Sequence, residues 1–144
     1  MSRSEQIAKE MSQIVPTFLR HMFPYVFAQM ELPPSQVVAL VSIEEQGGCT
    51  LTQLKKDMHV SAPTVSGIVA RLERDGYVAR QQDEKDRRVV NVSLTVKGKG
   101  VVDKFRGNIE KRWKHILSNM PVEVGENAIQ TIRRIAKGFS DGTI

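Results

Sequence analysis

Apolar residues recur at helical spacing along most of the chain, and the places where that period breaks divide it into elements. Ile7, Met11, Ile14, Phe18 and Met22 form the first stripe. Pro16 and Pro24 interrupt it. An interior proline loses a backbone hydrogen bond and clashes with the preceding turn, at about 3 kcal/mol. A kinked or divided first helix is therefore expected, ending before Pro33-Pro34. Those prolines suit the first turn of a second helix. Its buried face is Val37, Leu40 and Val41, and Gly47-Gly48 ends it.

Thr50-Leu51-Thr52-Gln53 reads as a capping box opening a short third helix with Leu51, Leu54 and Met58 inward. His59-Val60 is a tight connection, and Ser61 caps a fourth helix. Val65, Ile68, Val69 and Leu72 give that helix a continuous inward face, and Gly76 stops it. The period then changes to two. Tyr77 to Gln81 forms one strand; Val90, Val92 and Leu94 alternate with Val89, Asn91 and Ser93 in a second. Asp83 to Arg88 is a charged hairpin loop between them. Thr95 caps a long helix with the stripe Val101, Val102, Phe105, Ile109, Trp113 and Ile116. Pro121 opens a last helix carrying Ile129, Ile132, Ile135 and Phe139.

Two helices joined by a tight turn and followed by a two-stranded wing form a winged helix-turn-helix, so the expected fold is mainly α with a small β-hairpin. The segments are an N-terminal helical region (1–32), a winged lobe (33–95) and C-terminal helices (96–144). Within the lobe, the reading helix spans about 61–75 and the wing about 77–94.

The outer face of the fourth helix carries Thr64, Gly67, Arg71 and Arg74, flanked by Ser61, Ala62, Pro63, Ser66 and Ala70. Small and hydroxylic residues at a helix start allow close approach to base edges, and the helix N-terminus offers amides to a phosphate. The face suits a major groove about 12 Å wide, although a solvated amphipathic helix has the same pattern. Lys85, Arg87 and Arg88 add cations at the wing tip, where folding does not require them. A narrow minor groove attracts arginine. Asp86, two residues before Arg88, is placed to orient its guanidinium. A solubilising charged turn is the bland alternative for the wing taken alone.

Asp86-Arg87-Arg88-Val89-Val90-Asn91-Val92-Ser93-Leu94-Thr95 resembles the D-x-R-x5-L-T wing signature of the MarR family of bacterial transcriptional regulators. Thr95-Val96-Lys97-Gly98 resembles the T-x-K-G that follows it there. Val60 to Val65, Leu72 to Val78 and Leu32 to Gln36 are similar to the family's recognition-helix and second-helix segments. The resemblance implies a homodimer whose first, fifth and sixth helices interlock. It implies double-stranded pseudo-palindromic DNA as partner, Arg88 as the minor-groove arginine and Asp86 as its orienting residue. It also implies repression relieved by a small phenolic or anionic effector. Such a ligand would lie where the dimer helices meet the winged lobe, with His21, Tyr25 and Arg106 as the polar candidates.

Composition is consistent with this picture and narrows the alternatives. The formal charge of +5 and pI of about 9.6 favour polyanionic partners. No apolar run approaches the ~20 residues that span a membrane, so no membrane partner is expected. Met1 to Glu10 has no secretory character, and Cys49 has no cysteine to pair with, which together suit a cytoplasmic location. His21, His59 and His115 have no metal-ligand spacing, so neither metal nor cofactor is expected; His59 serves the turn. No catalytic arrangement is visible, and Gly98-Lys99-Gly100 is too short to cradle phosphates. Two readings stay open beside the DNA-binding one: a winged helix used for protein interaction, and a redox switch at Cys49. The latter rests on the thiol's place beside a helix N-terminus, which can lower its pKa.

Overall fold

The computed structural model describes residues 1–141, so residues 142–144 of the expected C-terminal segment lie outside it. In chain order the elements are α1 (Arg3–Val26), α2 (Pro34–Glu45), β1 (Cys49–Thr50), α3 (Leu51–Met58), α4 (Ala62–Arg74), β2 (Val78–Gln82), β3 (Val90–Leu94), α5 (Val96–Leu117) and α6 (Val122–Ser140). The strands form one antiparallel sheet in the order β1-β3-β2. In the wing hairpin Val78 lies opposite Leu94, Arg80 opposite Val92 and Gln82 opposite Val90.

The caps form where side-chain chemistry places them. Thr50 Oγ1 accepts from the Gln53 amide at 3.1 Å, and Gln53 Oε1 accepts from the Thr50 amide at 2.9 Å. Ser61 Oγ accepts from the Thr64 amide at 3.3 Å and Thr95 Oγ1 from the Gly98 amide at 3.2 Å. His59 ends α3 in the left-handed region at φ 54°, which makes the sharp turn into α4.

Three expectations are corrected. First, α1 is not divided: it stays one helix through Pro16 and Pro24, and it ends before Pro33 as expected, at Val26. Pro24 falls in the last turn and forgoes a single hydrogen bond, to the Arg20 carbonyl. The loss at Pro16 is local within a 24-residue helix that packs along α5. Second, β2 begins at Val78, not Tyr77. The Tyr77 amide is already used: it donates to Leu72 O at 2.8 Å and closes the C-terminus of α4 after Gly76, at φ 82°. Third, β1 adds a third strand by pairing Cys49 with Val92 and Thr50 with Asn91.

The core lies within the winged lobe. Leu40, Ile43, Leu54, Val65, Val69, Leu72, Val92 and Val102 are fully buried where α2, α3, α4 and β3 close on the first turns of α5. Leu51, Met58 and Val41 pack at its edge, half-buried. Phe27 stacks on Phe105 with centroids 5.3 Å apart and so joins the end of α1 to α5. Neither α1 nor α6 buries a residue among those described. The apolar stripe of α6 (Ile129, Ile132, Ile135 and Phe139) stands 43–56% exposed.

Candidate nucleic-acid interface

Four buried side chains of α4, Val65, Ile68, Val69 and Leu72, seat the helix in the core and orient its other face outward. On that face Thr64, Ser66, Ala70, Arg71 and Arg74 are exposed, with Gly67 half-buried among them. At the N-terminus Ser61, Ala62 and Pro63 are exposed as well, and Ser61 Oγ and Thr64 Oγ1 share a hydrogen bond of 2.8 Å. This end presents small groups and the positive pole of the helix dipole. The other end presents guanidinium groups. Arg74 is braced by its neighbour Asp75, with Nε and Nη2 at 3.1 and 3.2 Å from the two carboxylate oxygens.

The wing has its own scaffold. Asp83 Oδ1 accepts from the amides of Lys85 and Asp86 at 2.8 and 3.3 Å, an Asx turn that folds the loop back. The Asp83 amide donates to Val89 O at 2.9 Å, and the Val89 amide to Asp86 O at 3.0 Å, closing it. Asp86 then holds Arg88 on three donors: the backbone amide at 3.0 Å, Nε at 3.1 Å and Nη2 at 3.2 Å. Arg88 remains 91% exposed. Its guanidinium and amide hold the Asp86 carboxyl below the usual carboxylate range, the side-chain bond contributing most. Lys85 and Arg87 are exposed beside it.

The structure therefore leaves the helix and wing residues singled out from sequence at the surface, with Gly67 and Asp86 half-buried among them. Asp83 was missed as a site-building residue, although its position at a turn, two and three residues before the amides it binds, was a legible signal.

The residues singled out for an effector are not all brought together. His21 and Tyr25 line a mainly apolar cleft of about 230 Å³ between α1 and α5, with Phe18, Met22, Trp113 and Ile116. Arg106 is elsewhere: it pairs with Glu44 of α2, which Lys99 also holds at 3.0 Å. The cation at the cleft is Arg112, whose guanidinium lies 3.9 Å from the Tyr25 ring centroid. Sequence spacing did not distinguish the two arginines, because which face of α5 meets α1 and which meets α2 is set by packing.

Cys49 is 5% exposed, and burial, reinforced by the charge of Asp57, pushes its thiol pKa up. This direction disfavours the reactive thiolate that a redox switch at Cys49 would use. Among the described residues no cluster of three or more His, Cys, Asp or Glu side chains has the arrangement to hold a metal ion.

The MarR family model matches residues 32–90, from the entry to α2 through the wing loop. The HTH-type transcriptional repressor MdtR of Bacillus subtilis (strain 168) is 27% identical over 101 residues, 68% of this chain and 65% of MdtR. The chain spans roughly half to two thirds of the length of the curated relatives it matches. Two solved structures extend the likeness beyond the lobe. A MarR family protein from Bacillus stearothermophilus superposes with a TM-score of 0.81 at 22% identity, over 97% of this chain and 99% of that one. Bordetella bronchiseptica BpsR, whose DNA binding is regulated by 6-hydroxynicotinic acid, matches at TM-score 0.61 and 25% identity, over 86% of this chain and 98% of BpsR. Motif, family model and fold coincide on the same helix-turn-helix and wing: over residues 32–90 the chain is similar to the MarR family.

Proposed function

We propose that the protein is a dimeric transcriptional regulator that binds pseudo-palindromic duplex DNA and represses neighbouring genes until a small phenolic or anionic ligand releases it. In this reading α4 enters the major groove and the wing enters the flanking minor groove. The observation that carries it is the wing arginine. Arg88 is extended into solvent yet held on both oxygens of Asp86, ready to enter a narrow groove with little ordering left to lose. The exposed, small-residue start of α4 supplies the second half of the surface.

Two further features support the finer parts of the proposal. The uncovered apolar faces of α1 and α6 suit burial against a second copy, which would set two α4 helices apart for two half-sites. The aromatic cleft between α1 and α5, with Arg112 at its wall, suits a small planar anion.

The test is fluorescence anisotropy with duplexes from the protein's own upstream region, over a salt series. Affinity is expected to fall steeply with salt. Arg88→Ala should weaken binding about uniformly across sequences and reduce the salt slope by about one, whereas substitution of Ser66 or Arg71 should alter sequence preference. Absence of salt-sensitive duplex binding would defeat the proposal.

A further inference from the structure

We infer that Lys97 is a positioning residue for DNA reading: it ties the C-terminal end of α4 to the start of α5 and thereby fixes the wing relative to the recognition helix. The inference rests on the DNA-binding reading above and assigns a role to Thr95-Val96-Lys97-Gly98, which that reading leaves unused.

The links converge on the three residues between α4 and β2. Lys97 Nζ donates to Asp75 O at 2.7 Å and lies 4.4 Å from the Tyr77 ring centroid. Thr95 Oγ1 donates to Gly76 O at 2.6 Å, and the Thr95 amide to Tyr77 O at 3.1 Å. Carbonyls at a helix C-terminus lack helical partners and carry partial negative charge, so a cation is well placed there. The Asp75 carboxylate is occupied by Arg74, which leaves the carbonyl for Lys97.

This knot is also the base of the wing: β2 leaves it at Val78 and β3 returns to it at Leu94. A five-residue strand is roughly 17 Å long at about 3.3 Å per residue. Slack of about 10° at the base would then move the tip by about 3 Å, the length of a hydrogen bond. Holding Asp75, Gly76 and Tyr77 to α5 removes that slack. Lys97 is itself exposed, so its ammonium can be removed without opening the core.

The experiment compares Lys97→Met, which keeps the stem, with Lys97→Arg, which keeps the cation, in the full chain. Lys97→Met is expected to keep its circular dichroism spectrum and melting temperature and to bind the preferred duplex about tenfold more weakly. Lys97→Arg should recover most of that loss. Arg88→Ala should cost less affinity in the Lys97→Met background than in wild type, because a wing out of register has less to lose. The salt slope should be unchanged by Lys97→Met, and amide exchange at Thr95 should quicken in Lys97→Met but not in Lys97→Arg. Unchanged affinity, strict additivity with Arg88→Ala, or a slope reduced by about one, the mark of a direct phosphate contact, overturns the inference. A wild type that binds no duplex removes the DNA-binding reading and this role together; a wild type that binds while Lys97→Met binds equally well removes only the role.

Discussion

The winged lobe and the terminal helices use apolar side chains in opposite ways. Between Gln36 and Phe105 the lobe closes them into a core in which nine of the larger side chains are less than 2% exposed. In α1 and α6 stripes of the same residue types lie on the surface, from Ile7 to Phe18 and from Ile129 to Phe139. The contrast is one of geometry rather than composition. Four helices and a sheet surround the lobe's core on every side. A long helix touching one neighbour can cover only one edge of its stripe, and exposed apolar patches of this extent mark interaction surfaces. One part of the chain buries its apolar side chains by itself; the other leaves them exposed.

The largest expected effect strikes the lobe. A Cβ on Gly98 would sit 2.1 Å from Tyr77 O, a backbone atom fixed by its bond to Thr95. Gly98→Ala should therefore cost about 3 kcal/mol, read as a lower urea midpoint. A smaller loss than about 1 kcal/mol would mean that the junction yields and the lobe is less rigid than its packing implies.

The matching change in the open part is Ile132→Asp. It should leave the lobe's cooperative unfolding in place and halve the mass seen by sedimentation, since Ile132 is 53% exposed and lies outside the lobe's core. Unaltered mass would break the comparison by showing that α6 is not the surface a second copy covers. Cys49→Ser comes next, at about 1–2 kcal/mol, because it puts a hydroxyl into an apolar cluster. In wild type, alkylation of the native thiol should be slow until the lobe opens.

The smallest effect lies on the border between the two parts. Glu44 of α2 is held below its ordinary pKa, first by the hydrogen bond from Lys99 and then, against the cost of burial, by Arg106. A carboxyl depressed in the folded state contributes stability that is present above its unfolded pKa and lost as pH falls through the folded value. The melting temperature of wild type should thus exceed that of Glu44→Gln near neutral pH, and the gap should close in the acidic range below ordinary glutamate titration. A gap independent of pH would show that shape, not charge, joins α2 to α5.

How far each feature was legible follows from how local its cause is. The capping residues Thr50, Ser61 and Thr95 were readable because each bonds an amide three residues away. The Asp86–Arg88 pair was readable for the same reason, its partners being two residues apart. The role of Lys97 was not, since its acceptor is 22 residues back along the chain. Nor was the choice of Arg112 over Arg106 for the aromatic cleft: both sit on α5, and their different surroundings come from α1 and α2.

Sequence by itself determined the order of the helices and of the two wing strands, the inward face of α4 and the oriented wing arginine, because these follow from periodicity, turn chemistry and contacts within a few residues. Tertiary structure alone decided the rest. Cys49–Thr50 becomes a strand only because β3 offers its free edge, and Tyr77 stays out of β2 because its amide closes α4. α1 remains one helix along α5 despite two prolines. Gly98 is required only because Tyr77 O arrives above it. In each case the deciding atom belongs to another element, and no local pattern encodes where that element will pack.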